Sequence, residues 1–232
     1  MLVTDMISVN CSKNVINKIL KRKRERMKNI KNLKVYNKCL IVVDMVNGFV
    51  KEGILHDKTI AKIIKEQEKL INEYLENKNL VIFIKDTHTE KSTEFKRFGN
   101  TYHCIKGSSE SQLVDELKCY EKVNNTISIN KNSTSFMEAP KFRKLIKKLK
   151  NLNEVEVIGC CTDICVTNGV IALSNYFDEW NKEVIIRVYE DLIETYGSLN
   201  HDRNIYTEAS KLLMKQQGIQ LIKRRKKDIY GK

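Results

Sequence analysis

The sequence has no apolar stretch long enough to cross a membrane and no apolar leader near its start. Nowhere do 18 uncharged apolar residues follow one another. Residues 1–30 contain no apolar run between a basic start and a small-residue cleavage site. The first absence argues against a transmembrane protein and the second against a secreted one, so we expect a cytoplasmic protein.

Cysteine is too sparse in this chain to crosslink the fold. Seven cysteines in 232 residues are an odd number, and they do not form the dense framework of small secreted domains. A chain of this length can bury a full hydrophobic core without crosslinks. We therefore expect one large α/β domain rather than a disulfide scaffold.

The net charge of +13 is absent from the middle of the chain. Residues 1–38 contain eleven basic and two acidic residues, and residues 223–232 contain six basic and one acidic. Residues 39–222 contain 25 basic and 26 acidic residues, so they are nearly neutral. We predict a basic N-terminal extension (1–38) that is helical or mobile, a central domain (39–222) and a basic C-terminal tail (223–232).

The two basic ends would attract RNA or an anionic membrane. However, no aromatic residue is interleaved among the N-terminal charges to stack on a base, which weakens the case for nucleic acid. A solvated helix or arm is the simpler interpretation. Contact with nucleic acid or with a membrane stays open as an alternative.

Short and nearly continuous apolar runs recur along the central domain, as expected for parallel strands covered on both faces. They fall at residues 39–44, 80–86, 126–131, 154–159, 183–191 and 218–222. The segments between them predict helices at about 57–77, 110–119, 139–151, 165–179 and 201–217. This alternation predicts a three-layer α/β/α sandwich with a central, six-stranded, mainly parallel sheet.

Reactive side chains follow four of the predicted strands. Asp44 ends the first strand, Asp86 ends the second and Lys131 ends the third. The fourth strand ends in GCCTDICV (159–166), which contains three cysteines. Because ligands bind beyond the carboxyl ends of such strands, we expect these side chains to converge on one crevice.

The three cysteines of that stretch allow several interpretations. A zinc knuckle needs a second pair of ligands, which is missing, and a disulfide between the adjacent Cys160 and Cys161 would be strained. Cys165 falls near the first turn of the next helix, where free amides and the helix dipole lower a thiol pKa. Cys165 is therefore the candidate nucleophile, with Thr162 or Asp163 as the helix cap and the other two cysteines as buried fillers. A purely structural role for all three thiols is the alternative.

Five segments together resemble the isochorismatase-like cysteine hydrolase superfamily, and most of all its nicotinamidase (pyrazinamidase) branch. They are VVDMVNGF (42–49), KDTH (85–88), HCIKGS (103–108), INKNSTSF (129–136) and VIGCCTDICV (157–166). The resemblance covers residues 39–222 in order and spacing, and only the basic ends fall outside it. It implies the isochorismatase-like, Rossmann-like form of the three-layer sandwich.

The resemblance implies a catalytic triad of Asp44, Lys131 and Cys165. Asp44 would take the thiol proton and later return it to the leaving amine, while Lys131 would hold the acid and the thiolate in register. A cis peptide bond between Cys160 and Cys161 is also implied, and it would aim the backbone N–H groups of Cys161 and Cys165 at the oxyanion. The implied activity is hydrolysis of nicotinamide to nicotinate and ammonia through a thioester on Cys165, a step of NAD salvage.

One divalent metal ion is also implied by the resemblance. Its ligands would be Asp86, His88, Glu94 and His103, with Glu90 as an alternative to Glu94. Zinc is the first choice, and iron or manganese would suit the same mixed nitrogen and oxygen ligands. In that branch the metal binds the pyridine ring nitrogen, which favours nicotinamide over amides that lack one.

The loop 95–102 departs from the nicotinamidase branch, in which this loop has a proline and a tryptophan that packs on the substrate ring. Here it reads FKRFGNTY and contains neither residue. Phe49 is expected to stack on the ring, and Phe98 or Tyr102 to replace the tryptophan. Core or loop packing is an equally good interpretation of each of these aromatic residues.

Two other functions remain open at this point. One is a hydrolase on the same scaffold that acts on another small amide, carbamoyl or ureido substrate. Isochorismate hydrolysis fits less well, because enzymes of that branch lack the nucleophilic cysteine. The other, from a different class, is a catalytically inactive protein that binds RNA or a membrane through the basic ends. A homo-oligomer is implied by the resemblance alone.

Overall fold

A computed structural model describes residues 33–224 of the chain. Residues 1–32 and 225–232 lie outside the described part, and so do the predictions made for them, namely a helical or mobile arm and basic contacts to RNA or membrane. Within the described range, no helix is both long and apolar enough to cross a membrane.

Six strands form one parallel sheet with the spatial order β3-β2-β1-β4-β5-β6. The strands are β1 (Lys38–Val43), β2 (Leu80–Asp86), β3 (Thr126–Lys131), β4 (Glu154–Cys160), β5 (Ile185–Glu194) and β6 (Gln220–Ile222). The predicted six-stranded sheet is confirmed, and every pairing within it is parallel. Strand β5 extends beyond its predicted end because its pairing with β4 resumes after an irregularity between Val157 and Gly159.

Seven α-helices and several tighter turns connect the strands of the described range. The helices are α1 (Asn47–Val50), α2 (Ile64–Glu76), α3 (Thr93–Arg97), α4 (Asp115–Lys118), α5 (Pro140–Lys148), α6 (Thr167–Glu179) and α7 (Arg203–Gln216). Segments of 3-10 helix lie at Leu33–Val35, Lys58–Ile63, Cys119–Lys122 and Phe136–Glu138, and a π-helical turn lies at Thr162–Val166.

The helix predicted at 110–119 is only partly formed. Helix α4 begins at Asp115, because the preceding residues use their backbone groups elsewhere. The carbonyl oxygens of Glu110 and Gln112 accept hydrogen bonds from the residues at the start of α1, at 3.0 Å and 2.9 Å. The prediction at this segment was wrong since the competing partner lies about 60 residues earlier in the chain.

Two hydrophobic cores cover the two faces of the sheet. Helices α5, α6 and α7 pack on one face, where Ile41 and Val43 of β1 point. Helix α2 and the short α4 pack on the other face, where Leu40 and Val42 point. All four of these β1 side chains are fully buried. This arrangement confirms the three-layer sandwich, and it explains why the strands read as continuous apolar runs.

The strand order reverses between β1 and β4, which are neighbours in the sheet. The connection from β1 to β2 runs through α2 on one face, whereas the connection from β4 to β5 runs through α6 on the other. The two connections leave the sheet toward opposite faces at this point, and a crevice lies between them beyond the carboxyl ends of the strands. Any ligand site of the domain is therefore expected at these strand ends.

Candidate active site

The side chains that end β1, β2 and β3 contact one another around a single lysine. The Lys131 Nζ atom lies 2.9 Å from Asp44 Oδ2, 2.6 Å from Asp86 Oδ1 and 3.5 Å from Cys165 Sγ. An ammonium group has three protons, and here each has an acceptor within reach. The structure thus brings together the four residues that the sequence placed at strand ends.

Burial and charge set the ionisation of this cluster. Burial favours the neutral form of Asp44 and raises its pKa to about 6, although the Lys131 charge opposes the shift. Burial alone would lower the pKa of Lys131, but the Asp44 and Asp86 carboxylates outweigh it and raise that pKa. The lysine therefore stays charged, while Asp44 titrates close to neutral pH. Among the described residues, Asp44 Oδ1 has no hydrogen-bond partner, so it is free to accept a proton.

The prediction of a lowered pKa for Cys165 is wrong. Burial of the thiol raises its pKa, and the negative charges of Asp44 and Asp86 add to the effect, which Lys131 only partly offsets. In addition, Cys165 lies within the π-helical turn and not in the first turn of α6, which begins at Thr167. The thiol is therefore protonated at rest, and it needs a base to become a nucleophile.

The turn that carries Cys165 follows a close approach between two strands. Gly159 has a φ of 128°, and a Cβ atom at this position would lie 2.1 Å from the Val43 carbonyl oxygen. Only glycine therefore allows β4 to approach β1 this closely. One residue further along, the peptide bond between Cys160 and Cys161 is cis, as the resemblance implies.

Cys160 and Cys161 are both buried, as predicted for small fillers, but they face different surroundings. The Cys160 thiol donates to the backbone oxygen of Asp44 at 3.1 Å. Cys161 instead lines the cavity that Cys165 also lines. These three thiols, together with those of Cys39 and Cys104, are free.

The predicted helix cap by Thr162 or Asp163 is wrong. The residue before the π-helical turn is Cys161, and within the described part of the chain its side chain forms no capping hydrogen bond. The Asp163 carboxylate points away from the turn and accepts hydrogen bonds from Thr195 and from His201 Nε2. These two partners are more than 30 residues later in the chain, so local sequence gave no indication of them.

A second cluster of buried side chains adjoins the lysine. Its members are the four predicted metal ligands: Asp86, His88, Glu94 and His103. One ligand atom from each lies within 4.8 Å of the others, and all four residues are at most 5% exposed. Glu90, the alternative to Glu94, is exposed and lies outside the cluster. The cluster could therefore hold a metal ion.

Both histidines are oriented with Nε2 toward the centre of this cluster. His88 Nδ1 lies 2.8 Å from Asn132 Oδ1, and His103 Nδ1 lies 2.9 Å from the Thr101 carbonyl oxygen. Outer partners of this kind orient the histidine ligands of metal sites. Among the described residues, Glu94 Oε2 is buried without a hydrogen-bond partner. A mixed set of nitrogen and oxygen donors with an unsatisfied carboxylate oxygen fits a divalent metal ion.

Asp86 belongs to both clusters. Its Oδ1 atom lies 2.6 Å from Lys131 Nζ, while Oδ2 lies 2.8 Å from His88 Nε2 and 3.3 Å from His103 Nε2. Burial alone would raise the pKa of Asp86, but Lys131 and the two histidines outweigh it and hold that pKa well below its usual range. A single carboxylate therefore couples Lys131 to the cluster of the four predicted metal ligands, called the metal-ligand cluster below.

A cavity of about 900 Å³ opens onto both clusters. Its wall includes Cys165 on one side and Asp86, Glu94 and His103 on the other. This volume lies within the range of small-molecule sites in proteins. The cavity therefore lets one bound molecule contact the thiol and the metal-ligand cluster together.

Two of the three predicted substrate-binding aromatic residues reach this cavity. Phe49 is 7% exposed and lines it, with its ring 5.8 Å from the His103 ring, and Phe98 lines it from the rim. Tyr102 is 59% exposed and is not part of the wall. Its ring packs 4.8 Å from Phe95, which is itself buried beside the two histidines. The prediction for Tyr102 therefore fails, because loop packing turns it away from the cavity.

Sequence reasoning missed part of the cavity wall. Leu55, Thr134, Ile164 and Tyr196 all line it, together with Ser198 and Asn200. Thr134, Ile164 and Tyr196 follow the ends of β3, β4 and β5 by a few residues, but their side chains are not of the reactive types for which the strand ends were searched. Only Ile164 and Thr134 lie within the segments that carry the resemblance.

The Isochorismatase domain family matches residues 38–213 of the chain. Nicotinamidase 1 of Arabidopsis thaliana is 32% identical over 145 residues, which cover 56% of this chain and 57% of that protein. The chain thus spans less than two thirds of that relative. An uncharacterized isochorismatase family protein, PncA, of Bacillus subtilis (strain 168) is 25% identical over 173 residues, or 71% of this chain and 90% of that protein.

Solved structures show the same architecture. The nicotinamidase PncA from Bacillus subtilis has a TM-score of 0.65 at 22% identity, covering 81% of this chain and 99% of that chain. A pyrazinamidase of Pyrococcus horikoshii in complex with zinc has a TM-score of 0.62 at 21% identity, with the same coverage. An N-carbamoylsarcosine amidase from Thermoplasma acidophilum has a TM-score of 0.62 at 21% identity, covering 83% and 99%. At these identities the likeness concerns the fold, and it confirms the predicted fold class.

Proposed function

Since the chain belongs to the Isochorismatase domain family, we propose that it is a cysteine amide hydrolase, and specifically a nicotinamidase. The reaction would convert nicotinamide to nicotinate and ammonia through a thioester on Cys165, a step of NAD salvage. One observation carries the proposal. Lys131 contacts both Asp44 and the Cys165 thiol, beside a cavity that the metal-ligand cluster also lines. The amidases among the relatives and structural neighbours support an amide substrate.

The first step would be attack of the thiol on the amide carbonyl. Asp44 Oδ1 accepts the thiol proton while the Cys165 sulfur forms a bond to the carbonyl carbon. The charge of Lys131, next to both groups, stabilises the thiolate as it forms. The backbone N–H groups of Cys161 and Cys165 are the proposed donors to the developing oxyanion.

The second step would release ammonia and regenerate the thiol. The carbon–nitrogen bond breaks as Asp44 returns the proton to the leaving nitrogen, which leaves an acyl thioester on Cys165. Water then attacks the thioester, with Asp44 taking one of its protons. The carbon–sulfur bond breaks, nicotinate forms, and the thiol regains its proton. The raised pKa of Asp44, about 6, suits a group that must both accept and donate.

Asp86, His88, Glu94 and His103 would hold the divalent metal ion, with zinc as the first choice and iron or manganese as alternatives. When bound, the ion supplies a Lewis acid site for a ring nitrogen and for water. The Phe49 side chain, 5.8 Å from the His103 ring, would pack against the ring of the substrate. The pyridine ring would thus be fixed with its carboxamide beside Cys165.

The direct test is ammonia release from nicotinamide by the purified protein, measured as purified, after chelation and after reloading with zinc, iron or manganese. Release that is lost on chelation and restored by a metal would support the nicotinamidase proposal. Benzamide, which has the same carboxamide but no ring nitrogen, is the matched substrate control. If metal-loaded protein releases no ammonia from nicotinamide, this substrate assignment is wrong.

The activity is expected to depend on pH through Asp44. As the pH rises through about 6, the carboxylate loses its proton and becomes able to accept the thiol proton, so kcat/KM should increase. Below that pH the Asp44 carboxyl group already carries a proton and cannot accept another, so kcat/KM should fall about tenfold per pH unit. A steady-state pH profile from pH 4.5 to 8 measures this limb. A profile that is flat across pH 5–7 would contradict the role of Asp44.

Metal content is expected to depend on Glu94 and not on Glu90. Replacing Glu94 by glutamine removes a buried carboxylate from the proposed ligand set, so we expect metal affinity to fall at least about 10- to 100-fold, which is the loss typical of removing even an outer partner. The Glu90→Gln variant makes the same chemical change at an exposed position four residues earlier and should keep its metal. Metal titration of the chelated proteins by calorimetry measures both. Equal loss in the two variants would rule out Glu94 as a specific ligand.

A second candidate substrate is favoured by Arg97. This side chain lines the cavity beside Phe98, and within residues 33–224 its guanidinium has no ion-pair partner. An arginine so placed could bind the carboxylate of a small acidic amide, such as an N-carbamoyl amino acid. Arg97→Ala should then impair hydrolysis of N-carbamoylglycine but not of nicotinamide. Lys96→Ala, the adjacent exposed cation, is the matched control.

Several predictions concern properties outside the described site. A homo-oligomeric state, a cytoplasmic location and contacts of the basic ends with RNA or an anionic membrane stay predictions. The third hypothesis is that the chain is catalytically inactive and binds RNA or a membrane through its basic ends. It predicts that this binding is salt-sensitive, is lost on deletion of residues 1–38 and is unaffected by Cys165→Ala. Turnover of any amide by the wild-type protein would exclude that third hypothesis.

A further inference from the structure

The turn that carries Cys165 is held from outside by three side chains, which we call the loop clamp: Asp163, Thr195 and His201. Asp163 lies in the π-helical turn, two residues before Cys165. Its Oδ1 atom accepts a hydrogen bond from Thr195 Oγ1, and its Oδ2 atom lies 2.8 Å from His201 Nε2. Thr195 is fully buried and His201 is 6% exposed. Both oxygens of the Asp163 carboxylate therefore form hydrogen bonds with side chains of the loop between β5 and α7.

The imidazole ring of His201 is fixed on every side. It is stacked between the rings of Tyr196 and Tyr206, with centroid distances of 4.0 Å and 3.8 Å and interplanar angles of 11° and 23°. Its Nδ1 atom lies 3.1 Å from the Tyr196 carbonyl oxygen. A ring held by two flat contacts and two hydrogen bonds has one available orientation. His201 can therefore act as a rigid support for Asp163.

The loop that supplies His201 is itself anchored to Asp57, at the start of the 3-10 helix Lys58–Ile63. Arg203 Nε donates to the Thr195 carbonyl oxygen at 2.7 Å, and the Arg203 guanidinium pairs with Asp57. The backbone N–H of Gly197 also donates to Asp57, at 3.0 Å. Asp57 precedes the 3-10 helix Lys58–Ile63 and binds its start. The loop clamp is thus connected to the body of the domain and not only to the turn.

We propose that His201 is a positioning residue for the nucleophile, acting through Asp163. The π-helical turn has no side-chain cap of its own, and the clamp supplies the restraint that a cap would provide. Holding Asp163 fixes the turn, and therefore the distance from Cys165 Sγ to Lys131 Nζ and the direction of the backbone N–H groups proposed for the oxyanion. The role of His201 in turnover rests on the proposed amide hydrolysis, whereas its hold on the turn does not.

The expected effect is on kcat and not on KM. A displacement of about 1 Å at a reacting group can lower a rate about 10²-fold, because the reacting atoms must align. Substrate binding depends on the cavity wall, where Tyr196 lies. A substitution that keeps the stack of rings but removes the hydrogen bond to Asp163 should therefore leave Tyr196 in place and disturb only the turn.

Two substitutions separate the hydrogen bond from the stack. His201→Phe keeps an aromatic ring between the two tyrosines and loses the bond to Asp163, whereas His201→Gln keeps an amide donor and loses the stack. We expect kcat for nicotinamide to fall about 10- to 100-fold in His201→Phe with KM changed less than about twofold. We expect His201→Gln to recover most of that loss. His56→Phe is the matched control, because the hydrogen bond of this histidine within residues 33–224 is to the nearby Gly53 carbonyl oxygen.

Backbone hydrogen exchange, measured by mass spectrometry on the same proteins, tests the clamp without any substrate. In His201→Phe, the peptide that contains residues 162–166 should exchange faster, while peptides from β1 and β2 should be unchanged. If His201→Phe fails to fold, Thr195→Val removes the other clamp bond with little change of shape and should give the same two effects.

The outcomes distinguish this inference from the proposed activity. Faster exchange in the turn together with a fall in kcat supports the positioning role. Faster exchange in a protein whose wild type hydrolyses no amide supports the clamp and overturns the activity. Unchanged exchange in the turn, or a kcat in His201→Phe equal to that of the wild type, overturns the positioning role.

Discussion

Replacing Cys165 by alanine is expected to lower the turnover number for nicotinamide by at least about 10⁴-fold. The thiol lines the cavity and contacts Lys131, and the proposed thioester cannot form without it. Removing one buried sulfur atom should change stability little, so the variant should fold and bind metal normally. Ammonia release at saturating substrate, with metal content measured on the same samples, checks this expectation.

The neighbouring cysteine provides the matched control. Cys161 lines the same cavity, yet its proposed contribution comes from its backbone N–H and not from its sulfur. Cys161→Ala keeps that N–H group and should therefore leave turnover close to that of the wild type. If Cys161→Ala abolishes turnover and Cys165→Ala does not, the nucleophile has been assigned to the wrong thiol. The thioester itself can be trapped by acid quenching during turnover and located by mass spectrometry.

Replacing Lys131 by methionine is expected to damage both stability and activity. The buried ammonium group lies within 3 Å of two carboxylates, and methionine of similar length removes the cation from beside both of them, so that Asp44 loses the charge that compensates its burial. Breaking a buried ion pair in this way costs about 3–5 kcal/mol of unfolding free energy. Turnover should also fall about 10³-fold, because the charge that stabilises the thiolate is lost. Denaturant unfolding and ammonia release measure the two effects.

The loss of stability in Lys131→Met should shrink as the pH falls. Without the lysine, the pKa of the buried Asp44 rises further above its value in the unfolded chain. The folded carboxyl then binds a proton more tightly than the unfolded one, so acidification from pH 7 to pH 5 stabilises the folded variant relative to the wild type. A destabilisation that stays constant between pH 5 and pH 7 would contradict an uncompensated buried carboxylate.

Lys85→Met is the matched control for this substitution. Lys85 is on the same sheet and pairs with Glu121 at 2.7 Å, but the two side chains are 16% and 24% exposed. An ion pair that water reaches contributes about 0–1 kcal/mol, so the same chemical change should have little effect there. A large loss in both variants would show that methionine at these strand positions disturbs the sheet itself.

Much of the site could be predicted from sequence because a parallel sheet has few degrees of freedom. Each strand was marked by its apolar run, and the carboxyl ends of parallel strands meet at one edge. Asp44, Asp86 and Lys131 could therefore be placed together without coordinates. In the structure, both carboxylates lie within 3 Å of the Lys131 ammonium group. The resemblance already favoured Glu94 over Glu90, and burial in the structure supports that choice between two carboxylates four residues apart.

The errors arose where a residue's partner is distant in the chain. The predicted lowering of the Cys165 pKa assumed an exposed helix terminus, whereas the thiol is enclosed by side chains from three strands. Asp163 was predicted to cap a helix and instead binds Thr195 and His201. Tyr102 was predicted to face the substrate and instead packs on Phe95.

By itself, the sequence determined the fold class, the strand ends and the types of side chain that meet there, because local periodicity and sheet geometry depend on neighbouring residues. Only the tertiary structure decided the direction in which the pKa values of Cys165 and Asp44 shift, the composition of the cavity wall and the contacts of the loop clamp with the turn that carries Cys165. These properties depend on burial and on contacts between loops, and both arise from residues that come together only when the chain folds.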